Sequence, residues 1–277
     1  MTAAYGLFAV NDSFLKGLGT DLSVWQILFL RGVAVSVAML AFMWWRGGRI
    51  RSLSRRDLAL ATGRALAEAA AAVLFLSALP HMPFANISAL QQALPLTVTL
   101  AGVLFLREHV GWRRGLAIGI GLFGVLVVVR PGTGGFNAWS LVALGSVACV
   151  TARDIFARML SPEAATLPVA ALSAMGITIV SGAVLPFAGW DAMGAADSAL
   201  LTGAVLAIFG AYIVSVSAMR VGELGFVAPF RYASLLVAVV VGFLFFAETP
   251  DWPTVTGAAI IVGSGLYTIW REQRLAA

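Results

Sequence analysis

Cysteine is nearly absent from this 277-residue chain, and charge is scarce. The lone Cys149 excludes an internal disulfide. His81 and His109 are too few and too isolated for a zinc cluster, so no metal site is expected. Lysine occurs once, at Lys16, which leaves 17 arginines among the 18 basic residues. Only 11% of the residues are charged, whereas soluble domains carry about 25%, and water is therefore not the main solvent. The glycines at 115, 119, 121 and 124 have no preceding strand and no Gly-Lys-Ser/Thr after them, which excludes a phosphate loop. The first residues lack a basic n-region and a small-residue cleavage site, so the first apolar segment is expected to stay in the mature protein.

What is abundant is apolar surface: 60% of the residues are hydrophobic and the mean hydropathy is +0.94. A membrane-crossing helix uses about 20 such residues, so ten would take roughly 200 and leave short loops. Apolar runs between polar breaks predict spans near 3–18, 22–45, 57–79, 83–106, 111–129, 138–157, 164–187, 197–219, 223–247 and 253–270. The first is the weakest, being short and interrupted by Asn11, Asp12 and Lys16. The chain is expected to form one membrane domain, 1–277, with the lipid bilayer as its surroundings.

Net charge is +5, and several arginines crowd into residues 46–56. A short basic loop between apolar spans follows the positive-inside bias and does not indicate nucleic acid. With the N-terminus cytoplasmic, Arg46, Arg49, Arg51, Arg55, Arg56, Arg107, Arg113, Arg114, Arg158, Arg220, Arg271 and Arg274 fall inside. Arg130, Lys16, Asp21, Asp191, Asp197, Glu248 and Asp251 fall outside. Both termini are thus expected in the cytoplasm of a bacterial-type inner membrane.

A shift of about 140 residues brings the two halves into register. Leu60, Thr62 and Gly63 match Leu200, Thr202 and Gly203; Ser77 and Ala78 match Ser217 and Ala218. Gly102, Phe105, Glu108 and Trp112 match Gly242, Phe245, Glu248 and Trp252, and with two further residues of offset Asp12, Phe14 and Lys16 match Asp154, Phe156 and Arg158. Five spans per half force the second half to enter from the opposite side. The expected fold is an all-α membrane protein of ten transmembrane helices in two inverted five-helix repeats, 1–130 and 138–271. Such repeats in secondary transporters place the substrate near the membrane midplane at their interface.

The Asp12 to Lys16 segment, Leu30-Arg31-Gly32, the basic loop, Leu106-Arg107-Glu108 and the glycine-rich 115–124 together resemble the EamA branch of the drug/metabolite transporter superfamily. The resemblance covers essentially the whole chain. Val227 to Tyr232 looks like a sub-branch that includes S-adenosylmethionine-type carriers, and the ten-helix form is similar to the YddG amino-acid exporters. The resemblance implies a transporter and not an enzyme, with no cofactor, and leaves the cargo open.

Charged groups inside apolar spans cost about 2.5–3.5 kcal/mol each on insertion scales and therefore mark partners or wet cavities. They are Asp12, Arg31, Arg64, Glu68, Arg153, Asp154 and Arg231. Asp12 with Lys16, and Asp154 with Arg158, stand four residues apart with the acid first, the favoured helical order. Arg64 and Glu68 share the spacing with the base first. Each pair is read either as self-neutralising or as serving substrate or proton. Arg31 has no partner on its own span, so it is expected to bond across helices or reach the cavity.

The preferred binding walls are the fourth and ninth spans. Gln91 and Gln92 map onto Arg231 and Tyr232, with Pro95 and Pro229 as hinges, because proline frees the carbonyl four residues back. Tyr212 and Trp25 are added as apolar or stacking groups, and Glu68 and Asp12 as substrate or proton groups. The fifth and tenth spans, with Gly257, Gly263 and Gly265, are expected to be scaffold or dimer surface, close-packed through small residues. The leading functional expectation is export of a small-molecule metabolite, amino acids including aromatic ones, with coupling to an ion left open and the protein a monomer or homodimer. Import of S-adenosylmethionine or a similar nucleoside-like metabolite is the alternative. An intramembrane enzyme would need a nucleophile, base or metal set that the sequence does not hold in one place, so no catalytic residue is assigned.

Overall fold

A computed structural model describes residues 2–19, 22–45, 53–107, 111–133, 136–162, 164, 166–221 and 232–276. Helices are its only regular elements among these residues: α1 (Thr2–Gly17), α2 (Val24–Trp45), α3 (Arg55–Ala78), α4 (Phe84–Gln91), α5 (Leu94–Leu106) and α6 (Trp112–Val129). After them come α7 (Trp139–Arg158), α8 (Thr166–Ala188), α9 (Ala195–Val221), α10 (Ala233–Phe246) and α11 (Trp252–Ala276), with a short 3₁₀ turn at Leu79–His81 before α4. Among the described residues five stretches are long and apolar enough to cross a membrane: Val24–Trp45, Arg55–His81, Phe84–Leu106, Trp139–Arg158 and Pro168–Ala188. Shorter apolar helices lie at Gly115–Val129, Ala195–Ala211 and Ser234–Phe246. The first span, the weakest on composition, is a regular helix.

The expected fourth span is not one helix. It breaks between α4 and α5 at Gln92 and Ala93, where Pro95 begins the next helix and supplies no N–H to the carbonyl of Gln91. The freed turn closes locally, with the Ala93 N–H on Leu90 and the Gln92 N–H shared between Ser88 and Ala89. At the far end α5 stops in a left-handed residue, Arg107 (φ 56°), whose N–H returns to the Gly102 carbonyl. Ala247 (φ 51°) closes α10 in the same way on Gly242, and 247 − 107 and 242 − 102 are both 140.

Small residues set the helix pairing. A Cβ on Gly203 of α9 would lie 2.9 Å from the Phe14 ring of α1, and one on Gly63 of α3 would lie 3.2 Å from the Phe156 ring of α7. α1 therefore packs on α9 as α3 packs on α7. Gly32 brings α2 against α8, where its Cβ would meet Thr178 at 2.7 Å and where Ser36 and Thr178 share a hydrogen bond of 2.9 Å. α6 and α11 meet through Gly124 and Gly257, whose added Cβ atoms would lie 3.0 and 2.7 Å from each other's carbonyl oxygen. That agrees with a scaffold pair, although Gly115, Gly119 and Gly263 face open space. Buried Phe84, Ile87, Leu90 and Leu96 put α4 and α5 at the centre of the apolar core.

Candidate functional site

One end of the bundle is stitched by polar contacts. Lys16, at the end of α1, donates to Glu248 (2.6 Å) and to the Met82 carbonyl (2.6 Å), while Glu248 accepts the Phe84 N–H (2.6 Å). Arg130 pairs with Asp251, and Thr254 donates to Asn86 (2.9 Å). Asn137 donates to the His81 carbonyl (2.9 Å), and the His81 ring stacks on Trp139. Asp191 binds the Ser23 N–H (2.7 Å) and both sides of the Gln26 amide. The expected Asp12–Lys16 pair is corrected here. Lys16 reaches across the bundle to Glu248, because its buried end faces the α4 and α10 termini, while Asp12 accepts from Asn11 (2.8 Å).

Toward the other end, where α2 ends and α3 begins, the helices part around a cavity of about 250 Å³. Arg31, Val35 and Met39 line it from α2 at every fourth residue, one stripe of a helix. Arg64 and Glu68 face it from α3, Arg153 from α7, and Ala170, Ser173, Ala174 and Ile177 from α8. Arg153 is five residues from the end of α7, about 7.5 Å along the axis, so the charged chamber opens in that half of the bundle.

Its charges form a network. Glu68 pairs with Arg64 (3.3 Å) and with Arg153 (3.5 Å), and Arg153 also binds Asp154 (2.8 Å). Arg64 in addition donates to the Ser173 hydroxyl. The Arg64 to Glu68 pair expected from spacing is present, but it is shared with α7. For Asp154 the adjacent Arg153 is a partner. Arg31 lies near enough for Asp12 to feel its charge. Each side chain of the triad stays partly accessible, between 19% and 26%, as wet-cavity ions require.

Of the residues proposed from sequence, Glu68 lines this chamber, and Asp12 does not line it but feels the charge of Arg31, which does. Gln91 and Gln92 do not line it. Gln91 reaches Ser146 of α7 (3.4 Å), and buried Gln92 donates to Ser234 of α10 (3.0 Å). Tyr232 is buried with its hydroxyl against Gly265 of α11. Trp25 sits in the first turn of α2, beside the stitched end. Pro95 is at the α4–α5 break; Arg231 and Pro229 lie outside the described residues, as does the Tyr212 side chain. Arg31, Arg64 and Arg153 were legible as ions inside apolar spans, whereas Ser173 carried no signal beyond being one serine in a hydrophobic helix. A second, larger groove on the α6–α11 face, about 450 Å³, is walled by apolar side chains with Trp112, Arg113 and Tyr267 and shows no such network among the described residues.

A helical membrane protein with mixed charge around an internal cavity has the features of a carrier. Residues 2–130 match the EamA-like transporter family. The chain is 27% identical over 270 residues to an S-adenosylmethionine uptake transporter of Rickettsia prowazekii, covering 96% of this chain and 90% of that protein. A riboflavin transporter of Brucella anthropi is 25% identical over 288 residues (99% and 98%). The pseudopaline exporter CntI of Pseudomonas aeruginosa is 24% identical over 260 residues (92% and 89%). One solved crystal structure superposes over 100% of this chain and 99% of its own, with TM-score 0.61 at 15% identity, a likeness of fold alone. The family match and the relatives agree with the EamA resemblance, for a transporter and not an enzyme.

Proposed function

We propose that the protein is a secondary transporter that carries a small polar metabolite through the charged chamber by alternating access. The two halves, 1–130 and 138–271, act as inverted five-helix repeats in a ten-span inner-membrane protein with both termini cytoplasmic. The chamber, on the side of the basic 46–56 loop, faces the cytoplasm, and the end stitched by Lys16 and Glu248 faces outward. Transport requires the stitched end to part while the α3, α7 and α8 side closes. Gln91, Gln92, Arg231 and Tyr232 serve the central passage and Pro95 and Pro229 its bending. Trp25 and Tyr212 supply apolar wall, and Glu68 and Asp12 supply charge.

The observation that carries this reading is the triad of Arg64, Glu68 and Arg153 beside Arg31, four ionic side chains around one internal space. Insertion costs of about 2.5–3.5 kcal/mol per charge disfavour such a cluster as mere filler. The relatives' names favour an S-adenosylmethionine-like substrate taken up, and they lend amino-acid export no support. Amino acids remain the second reading, because 250 Å³ is below the roughly 300–1,000 Å³ of ordinary ligand pockets and suits a compact solute. With no ATP-binding motif in the sequence, the solute's own gradient or a coupled ion drives the movement.

Reconstitution into proteoliposomes decides the matter. Labelled S-adenosylmethionine, riboflavin and aromatic amino acids are offered with and without a pH gradient. The reading expects saturable flux of at least one, with S-adenosylmethionine foremost; flux equal to empty liposomes for all would refute it. Unchanged flux on imposing the gradient removes proton coupling and leaves facilitated movement.

A further inference from the structure

We infer that the transported solute carries a carboxylate and that Arg31 is the group that holds it. The inference rests on the transporter reading above and names the chemistry of its cargo.

Among the described residues three guanidinium groups line the chamber, and two are already engaged. Arg64 is bound to Glu68 and Ser173, and Arg153 to Glu68 and Asp154. Arg31 differs: among the described residues it makes no hydrogen bond and no ion pair within 4 Å. Asp12 feels its charge through space and is itself hydrogen-bonded to Asn11. A guanidinium has five N–H donors in a fixed fork and cannot shed its proton. Arg31 is partly accessible in the chamber, so these donors are unused by the fold and stand open to a mobile partner.

The backbone presents Arg31 rigidly. The next residue, Gly32, is pressed on Thr178 so closely that a Cβ there would lie 2.7 Å from its hydroxyl, and Ser36 one turn on is hydrogen-bonded to the same threonine. The guanidinium thus stands on a fixed helix beside an open chamber. A carboxylate meets such a fork with two parallel hydrogen bonds, the strongest pairing open to it. Across the chamber, Glu68 Oε2 is buried and lacks a hydrogen-bond donor, although it is within ion-pair range of Arg64. A hydrogen-bond donor on the same solute, such as an ammonium, has an acceptor there, while the charge of Glu68 is already shared by two arginines. The substrate class is therefore a carboxylate-bearing solute, such as a zwitterion, not a neutral ring system.

The test pairs ligands that differ only in the carboxylate: tyrosine against tyramine, and S-adenosylmethionine against its decarboxylated form, with riboflavin as a carboxylate-free control. Binding to the purified full chain in nanodiscs is measured for wild type, Arg31→Gln and Arg31→Lys. In wild type one carboxylate ligand binds at least about tenfold more tightly than its decarboxylated partner, since a site built for a hydrogen-bonding group rejects the analogue lacking it. Arg31→Gln shrinks that ratio to near one, and Arg31→Lys, which keeps the charge and loses the fork, falls between. Equal binding within both pairs, preference for riboflavin, no binding by any carboxylate ligand, or full discrimination by a folded Arg31→Gln protein overturns the assignment. Flux of a carboxylate-free solute into proteoliposomes would sink this inference while leaving the transporter reading intact.

Discussion

Lys16 Nζ lies 2.6 Å from Glu248 Oε1, joining residues that are 232 positions apart in sequence. The ammonium is also under the Phe84 and Phe246 rings, 5.9 and 5.3 Å from their centroids. One cation thereby ties α1 to the entrance of α4 and the exit of α10. The Lys16 side chain is 6% exposed and Glu248 is 23% exposed. Removing one partner of a fully buried pair costs about 3–5 kcal/mol, and the partial exposure of Glu248 brings the expectation to about 2 kcal/mol. Glu248→Gln should lower the thermal unfolding midpoint in detergent by several degrees, and adding Lys16→Met should recover part of it. A midpoint equal to wild type for Glu248→Gln would show that the pair adds nothing.

Phe14 packs on Gly203 and Phe156 on Gly63, two ring-on-glycine contacts that join α1 to α9 and α3 to α7. Filling either glycine overpacks an interface where no space is open, a change that costs roughly 1–3 kcal/mol. Gly203→Val and Gly63→Val should both destabilise, and Phe14→Ala should relieve Gly203→Val while leaving Gly63→Val unrelieved. Melting curves of the five proteins check this, and relief of the wrong partner would contradict the packing.

Asp251 stands outside the membrane-spanning helices, where the Arg130 hydrogen bond, helped by Thr254, holds its carboxyl down from 3.8 to about 2 against the opposing effect of burial. A depressed folded value means that the stabilisation is complete above the unfolded value near 3.8 and is lost as pH falls toward 2. The side chain is half exposed, which limits its size. Asp251→Asn should flatten the acid limb of the stability profile between those limits. An acid limb identical to wild type would remove the pair from the account.

Glu68 neutralises two arginines at once. Glu68→Gln leaves both guanidinium groups without their shared carboxylate, and flux should drop by at least about tenfold. Glu68→Asp, which keeps the charge on a shorter stem, should lose less. Uptake and melting are measured on the same preparations, so that loss of flux with an unchanged midpoint separates transport from folding. Wild-type flux in Glu68→Gln would exclude the triad from the passage.

The apolar runs made most helix boundaries legible to within a few residues: 22–45 is α2 at Val24–Trp45, and 111–129 is α6 at Trp112–Val129, while the start of the expected 223–247 span lies outside the described residues. Hydrocarbon-length runs leave few alternatives. Pro95 marked a weak point in its span, but not that the chain would divide into two helices at Gln92. Partners across the bundle were not legible. Spacing on one helix suggested Lys16 with Asp12, yet burial turned Lys16 toward Glu248, and periodicity along one element carries no information about which other element packs on it. Nor did it tell that the Gln91 and Gln92 amides reach Ser146 and Ser234 on other helices. Arg31, Arg64, Glu68 and Arg153 were each visible as ions in apolar sequence. Their convergence on one chamber depends on α2, α3, α7 and α8 meeting through Gly32, Gly63 and Gly176, a tertiary fact.

Whether the charged chamber is the passage is tested most directly at Met39, which lines it and is partly accessible. In a Cys149→Ser background, Met39→Cys is exposed to a membrane-impermeant thiol reagent from each side of sealed vesicles, with and without S-adenosylmethionine. The account predicts labelling from the cytoplasmic side in the resting protein, slowed by solute. Labelling from neither side, or a rate that no transported solute changes, would contradict it.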